Sequence, residues 1–167
     1  MIPASRQRNY LQSALYVVIA GVVAAVLLEK LLTYAEAAEK YAVEATVSRL
    51  SSAMYARLAL LVLRGDAQAV EAFEGQSPFR IARADSPAYL GEFDGAPPNA
   101  EGGNWYFDRS RRELVYLPKL TRYLHGAGNG PDPTSIRFRS EVRRSETNAY
   151  SGVALVPVQD WRWDPRP

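Results

Sequence analysis

The side chains that could do chemistry are few, and the absences decide first. The 167 residues contain no cysteine and one histidine, His125. That excludes a thiolate metal site, a cysteine nucleophile and a disulfide framework. One imidazole also leaves a histidine-based metal centre or a serine triad short of parts. Carboxylates remain. Asp85, Glu92 and Asp94 carry the hard oxygens that Ca²⁺ takes, but their spacing matches no calcium loop, and solvated turn acids are the simpler reading. No pair of carboxylates and no base-activated serine suggests hydrolysis. The expectation is therefore a protein that is not an enzyme, with no metal and no cofactor.

The other charged groups have structural readings. Asp108 and Glu113 flank a turn holding Arg109, Arg111 and Arg112, which predicts cross-strand ion pairs at a solvated turn. Arg137, Arg139, Arg143 and Arg144 read as the wet face of a strand, with an acidic partner or lipid headgroups as the alternative. Arg64-Gly65-Asp66 spells an adhesion tripeptide, but Gly65 suits a helix end and Asp66 a helix start. His125 opens a glycine-rich stretch and should be exposed and inert.

Overall charge narrows the partners. Residues 1–63 hold six bases and four acids, and residues 64–167 hold 14 of each. A neutral surface of mixed sign gives little long-range pull on a nucleic acid, so none is expected. The chain is 47% hydrophobic and 23% charged, a composition that folds.

Two unlike parts must position these groups. No proline occurs between Pro3 and Pro78, and nine of 11 glycines lie from Gly75 onward. The first part is helix-forming; the second is made of strands and turns. Tyr10 to Leu28 is free of charge, close to the roughly 20 apolar residues that cross a bilayer as helix. Arg6 and Arg8 precede it, which puts the N-terminus in the cytoplasm by the positive-inside rule. The expected layout is a cytoplasmic N-terminus at 1–9, a transmembrane helix at 10–30, a helical neck and core helix at 31–64, and a periplasmic α+β sheet domain at 65–167. The protein would be a single-pass component of a bacterial inner membrane, in contact with membrane lipid. A cleaved signal peptide is the alternative, since Ala35-Glu36-Ala37 offers a cleavage pattern. A buried soluble-core helix is a third.

Within the span, Ser13, Ala14, Gly21 and Ala25 offer small surfaces where a second membrane helix could approach closely. Beyond it, Tyr34, Ala38, Tyr41 and Ala45 form an apolar stripe at helical spacing and read as a partner contact. Glu29, Glu36, Glu39 and Glu44 should keep the neck wet on one side. Leu60 and Leu63, in the apolar stretch Leu58 to Leu63, should pack on the strands carrying Trp105 and Tyr106. If unbroken, the helix would run about 80 Å; a bend near Glu29–Thr33 is the alternative. Asp66 should cap a short helix over Ala67 to Phe73.

The second part predicts an antiparallel sheet. Asn104 to Leu117 reads as a hairpin across a short polar turn. Ile136, Phe138 and Val142 alternate with charges, and Val153 to Val158 follows as a strand in which Pro157 belongs at an edge or end. Phe79 to Ala82 and Tyr89 to Phe93 are weaker strand candidates. The two tryptophans of 161–167 should fold back on the sheet or on a partner.

A membrane helix that runs on and packs on an antiparallel sheet resembles the layout of type IV pilins and type II secretion pseudopilins. The stretch Gly103-Asn104-Trp105-Tyr106-Phe107-Asp108, a turn, then Glu113-Leu114-Val115-Tyr116 resembles a hairpin of minor pilins, including those of mannose-sensitive haemagglutinin pili. The apolar run has no acid before Glu29, which matches an accessory component better than a filament subunit. The resemblance implies a pilin-like protein acting through contacts with other pilus or secretion-system subunits, or with a second copy of itself. An anchored or secreted periplasmic binding or sensor domain is the alternative.

Overall fold

The computed structural model describes residues 4–126, 134–144 and 150–165, with side chains from residue 12 onward. The chain is α+β: one long N-terminal helix packs on a five-stranded sheet.

Helix α1 runs unbroken over Ala4–Arg64, about 90 Å at 1.5 Å per residue. Nothing in it breaks a helix: Gly21 is its one glycine and no proline interrupts it. Its end is the capped one expected. Gly65 takes φ +70°, a left-handed conformation that costs glycine little. Asp66 then accepts a hydrogen bond from the Ala69 N–H at 3.1 Å and starts α2 (Ala67–Glu71).

Helix α3 covers Pro78–Ala82, where the sequence suggested a strand. Proline at the first helical position is pre-set for helix, and this start overrides the apolar look of Phe79 and Ile81. The strands are β1 (Tyr89–Phe93), β2 (Trp105–Asp108), β3 (Glu113–Tyr116), β4 (Leu124–His125), β5 (Ile136–Arg144), β6 (Tyr150–Pro157) and β7 (Arg162–Trp163). The main sheet has the order β1-β2-β3-β5-β6, and β4 pairs with β7. The expected hairpin β2–β3 forms, with Trp105 opposite Tyr116 and Asp108 opposite Glu113. One pair departs from an antiparallel sheet: β1 runs parallel to β2, the segment 94–104 carrying the chain back as a parallel pair requires. Pro157 ends the edge strand β6, where a missing N–H does least harm.

The core lies between α1 and one sheet face. Trp105, Phe107, Leu114, Tyr116, Ile136, Phe138, Val153 and Leu155 point into it, against Val43, Leu50, Met54, Leu58 and Leu61 of the helix. Each such side chain contributes about 1.5–3 kcal/mol when fully buried. The helical set repeats at three- and four-residue steps, one face of α1. That face excludes Leu60 and Leu63. Both were expected to pack on the sheet, yet Leu63 is 83% exposed and Leu60 is exposed too. Helical phase decides this: with Met54 and Leu58 turned inward, Leu61 follows and its neighbours turn out.

The other sheet face is not wet at its centre. Tyr106, Val115 and Arg137 are all buried there, so the expected solvated face of β5 holds only from Arg139 outward. Trp163 is buried and Trp161 packs partly against the core, as the tail composition suggested.

Candidate functional site

Helix α1 is long and apolar enough to cross a membrane, and its most apolar window is wholly unburied by the rest of the chain. Ser13, Ala14, Gly21 and Ala25 are all exposed. A Cβ added at Gly21 would meet nothing within 4 Å, so the chain itself leaves that face open. At about 100° per residue, Ala14, Gly21 and Ala25 share one face, and Ser13 lies about a quarter turn away.

The domain meets the helix at once where the apolar run ends. Glu29 Oε1 pairs with the Arg122 guanidinium at 3.3 Å, and the Thr33 hydroxyl lies 3.5 Å from the Tyr123 hydroxyl. Glu36 is 2% exposed. Its Oε1 accepts from the Tyr123 N–H at 2.8 Å and from the Trp163 indole N–H at 2.9 Å. Glu39 accepts from the Tyr116 hydroxyl at 2.7 Å and from the N–H groups of Lys119 and Leu120 at 2.6 and 3.1 Å. Burial and the Glu39 carboxylate together push the Tyr116 phenol well above its ordinary range.

This corrects the expected neck. Of the four acids read as keeping the helix wet, Glu36 is buried and Glu39 is half-buried, each gripping the domain. Glu29 and Glu44 remain exposed, Glu29 paired with Arg122 and Glu44 with Lys40 at 3.9 Å. A buried carboxylate needs hydrogen bonds, and the irregular segment 117–123 offers N–H groups that no strand uses. Spacing carried a signal: Glu29, Glu36, Val43 and Leu50 recur every seven residues, in phase with Thr33, Val47, Met54 and Leu61.

The stripe Tyr34, Ala38, Tyr41 and Ala45 lies on the opposite side of α1. All four are exposed, Tyr34 at 57% and Tyr41 at 67%. Ser52, Ala56, Ala59 and Leu63 continue the same line and are also exposed. Helical phase sets this stripe about 150° from the Ala14–Gly21–Ala25 face, so the structure does not bring the two sets together.

The turn charges pair only partly as expected: Arg111 lies 3.9 Å from Asp108 within the turn. Asp108 is buried, and burial alone would raise its pKa. Hydrogen bonds from the Ser110 hydroxyl and from the N–H groups of Arg111, Gly95 and Ser110 outweigh that and hold it below the ordinary value. Glu113 pairs not across the hairpin but with Arg137 at 3.3 Å and Arg139 at 2.9 Å on β5. Arg137 is itself buried and also donates to the Ser135 hydroxyl at 3.2 Å. Arg109 reaches Asp94 at 2.8 Å, and Arg80 approaches Glu92 at 3.8 Å. Among the described residues no three His, Asp or Glu side chains are placed to hold a metal ion. His125 is exposed, in β4; the rest of its glycine-rich stretch, 127–133, lies outside the described residues.

At the far end of α1 two cavities adjoin between α1, α2, α3 and β1. One, about 350 Å³, is lined by Arg57, Leu61, Phe73, Arg80, Ile81 and Arg83 among others. The second, about 550 Å³, shares Arg80 and Arg83 with it. Sequence reading missed this cluster, because Arg57 on α1 and Arg83 just past the end of α3 lie 26 residues apart.

No family model matches the chain, and no curated protein or solved structure is significantly similar to it.

Proposed function

We propose that the protein is a single-pass inner-membrane component with its N-terminus in the cytoplasm and its domain in the periplasm. It acts through protein–protein contacts, as a pilin-like accessory part of a pilus or type II secretion assembly. The observation that carries this reading is the uncharged stripe Tyr34–Ala38–Tyr41–Ala45. It is exposed along its whole length, it begins where the apolar run ends, and the charges of that stretch sit elsewhere on the helix. A solvated helix face is ordinarily polar; an exposed row of tyrosine and alanine suits a neighbouring helix. The uninterrupted α1 favours an uncleaved anchor, since cutting at Ala35-Glu36-Ala37 would sever the residue that holds Tyr123 and Trp163.

The test uses the absence of native thiols. Ala38→Cys and Ala45→Cys are introduced singly into the full chain in its own membrane and oxidised, with Glu44→Cys as the off-stripe comparison. Disulfide-linked dimers, or links to an identified pilus or secretion subunit, should form at 38 and 45 and exceed those at 44. Equal linking at all three positions, or none, defeats the proposal. A reporter active only in the periplasm, fused after Pro167, should be active; silence would reverse the orientation.

A further inference from the structure

The strongest unassigned feature is the arginine-lined cavity at the membrane-distal end of α1. Its floor is apolar: Leu61, Phe73 and Ile81 are all buried core residues. Arg57, Arg80 and Arg83 line the cavity and no acid does; Asp85 and Glu92 line the adjoining cavity, which shares Arg80 and Arg83. Arg80 spends part of its charge on Glu92, at a distance of 3.8 Å. The guanidinium groups of Arg57 and Arg83 have no ion-pair or hydrogen-bond partner among the described residues. Elsewhere in this fold arginine meets an acid, as Arg137 and Arg139 meet Glu113, whereas Arg57 and Arg83 meet none among the described residues.

Backbone geometry points the same way. Arg83 closes α3 in the left-handed conformation, φ 51° and ψ 41°, its N–H directed to the carbonyls of Arg80 and Phe79. Glycine is the residue that takes this cap without steric cost. An arginine there holds a strained backbone, and it lines both cavities. Strain of this kind collects at functional positions.

We propose that this cavity binds a carboxylate carried on an apolar body, the guanidinium groups taking the carboxylate and the apolar floor taking the body. Arginine's planar fork matches a carboxylate in two-point contact. A volume of about 350 Å³ falls at the small end of ligand sites and suits one large apolar side chain with its acid. The bilayer that holds the anchor is not the source. Arg57 lies 27 residues beyond Lys30, about 40 Å along the helix. The ligand is a soluble organic acid or the C-terminal carboxylate of a protein chain ending in an apolar residue. The site is independent of the stripe on α1, and its failure would leave the assembly reading untouched.

Calorimetric titration of the full chain in nanodiscs tests it with four probes: octanoate, a hexapeptide ending in a leucine carboxylate, the same peptide amidated, and inorganic phosphate. Octanoate or the acid peptide should bind saturably, and the tighter of the two identifies the source. The amidated peptide and phosphate should each bind at least tenfold more weakly than that probe. Arg83→Gly separates binding from folding, because glycine relieves the cap: affinity should fall at least tenfold while the melting temperature holds or rises. Arg57→Gln should also weaken binding. Absence of saturable binding by both acids overturns the proposal. So does an amide or a phosphate that binds as well as the acid, or an Arg83→Gly protein with native affinity.

Discussion

Replacing Glu36 by alanine should loosen the domain from helix α1. One carboxylate oxygen, Oε1, receives both the Tyr123 N–H and the Trp163 indole N–H, and the residue is 2% exposed. Alanine strands two donors in a dry site. A stranded buried donor costs about 1–3 kcal/mol, and bonds to a charged acceptor sit toward the stronger end. Water entering the vacated space recovers some of this, which leaves about 3 kcal/mol. For a domain of this size that is roughly a 10 °C fall in melting temperature. Glu36→Gln supplies a sharper comparison. Its amide oxygen can take the Oε1 position and keep both bonds without the charge, so the loss should be about 1 kcal/mol. Melting of the full chain in nanodiscs, followed by near-ultraviolet circular dichroism, gives the magnitudes. The Trp163 indole N–H resonance gives the cause: it should move upfield in Glu36→Ala and shift less in Glu36→Gln. A Glu36→Ala protein that melts within about 2 °C of the native chain, with its Trp163 resonance unmoved, would refute the reasoning.

The remaining expectations are read by the same melts. Met54→Ala, at a site with no exposure, should cost about 2–5 kcal/mol, whereas Leu63→Ala, 83% exposed, should change stability by less than about 0.5 kcal/mol; the reverse order would mean that the helical phase is wrong. Asp108 has a folded pKa below its ordinary 3.8, so its stabilisation is present above that value and disappears as pH falls through the lowered one. Asp108→Asn should therefore be less stable than the native chain at pH 7, and the gap should close toward pH 2; a gap independent of pH would show that the charge contributes nothing.

The large divisions of the fold were legible because they rest on long patterns. A charge-free run near 20 residues, a helix without proline, and aromatic alternation across a polar turn each sum many weak preferences into one reading. The helix caps at Gly65 and Asp66 were legible for a local reason: each residue does its work within four positions of itself. What failed was tertiary. Glu36 looks like a solvent-facing acid until the N–H of Tyr123, 87 residues on, is placed beside it. Arg137 looks like the wet face of a strand until Glu113 comes to lie alongside β5. Leu60 and Leu63 sit in so apolar a stretch that composition hid the phase which Met54 imposes. Phe79 to Ala82 went wrong for a smaller reason: proline at a helix start outweighed the strand preference of two neighbours. The arginine cavity had no sequence signature, since its parts come from three helices and meet only at the end of the fold.

The hydrogen-bonded join between helix and domain bears on how the proposed assembly could grow. Glu29, Glu36 and Glu39 fix the domain to one side of α1 directly above the apolar run. The rotation of the helix about its axis therefore fixes which way the domain faces. Small residues in the span then point about 150° away from the outer stripe, with no break in α1 to bring the two into line. A single straight partner helix cannot follow both faces. Two copies related by a twofold axis could use one of them and would leave the other open. If both faces are used between copies, each chain meets one neighbour in the lipid and a different one outside it, like face against like face, as disulfides between matching positions require. Two such twofold contacts, side by side, continue as an open row. The two faces should then be separable. Gly21→Leu, which pushes a neighbour away within the membrane, should abolish crosslinking through Ser13→Cys yet spare disulfides formed through Ala38→Cys. Loss of both together would mean that one partner spans the whole helix, and the two-neighbour arrangement would fall.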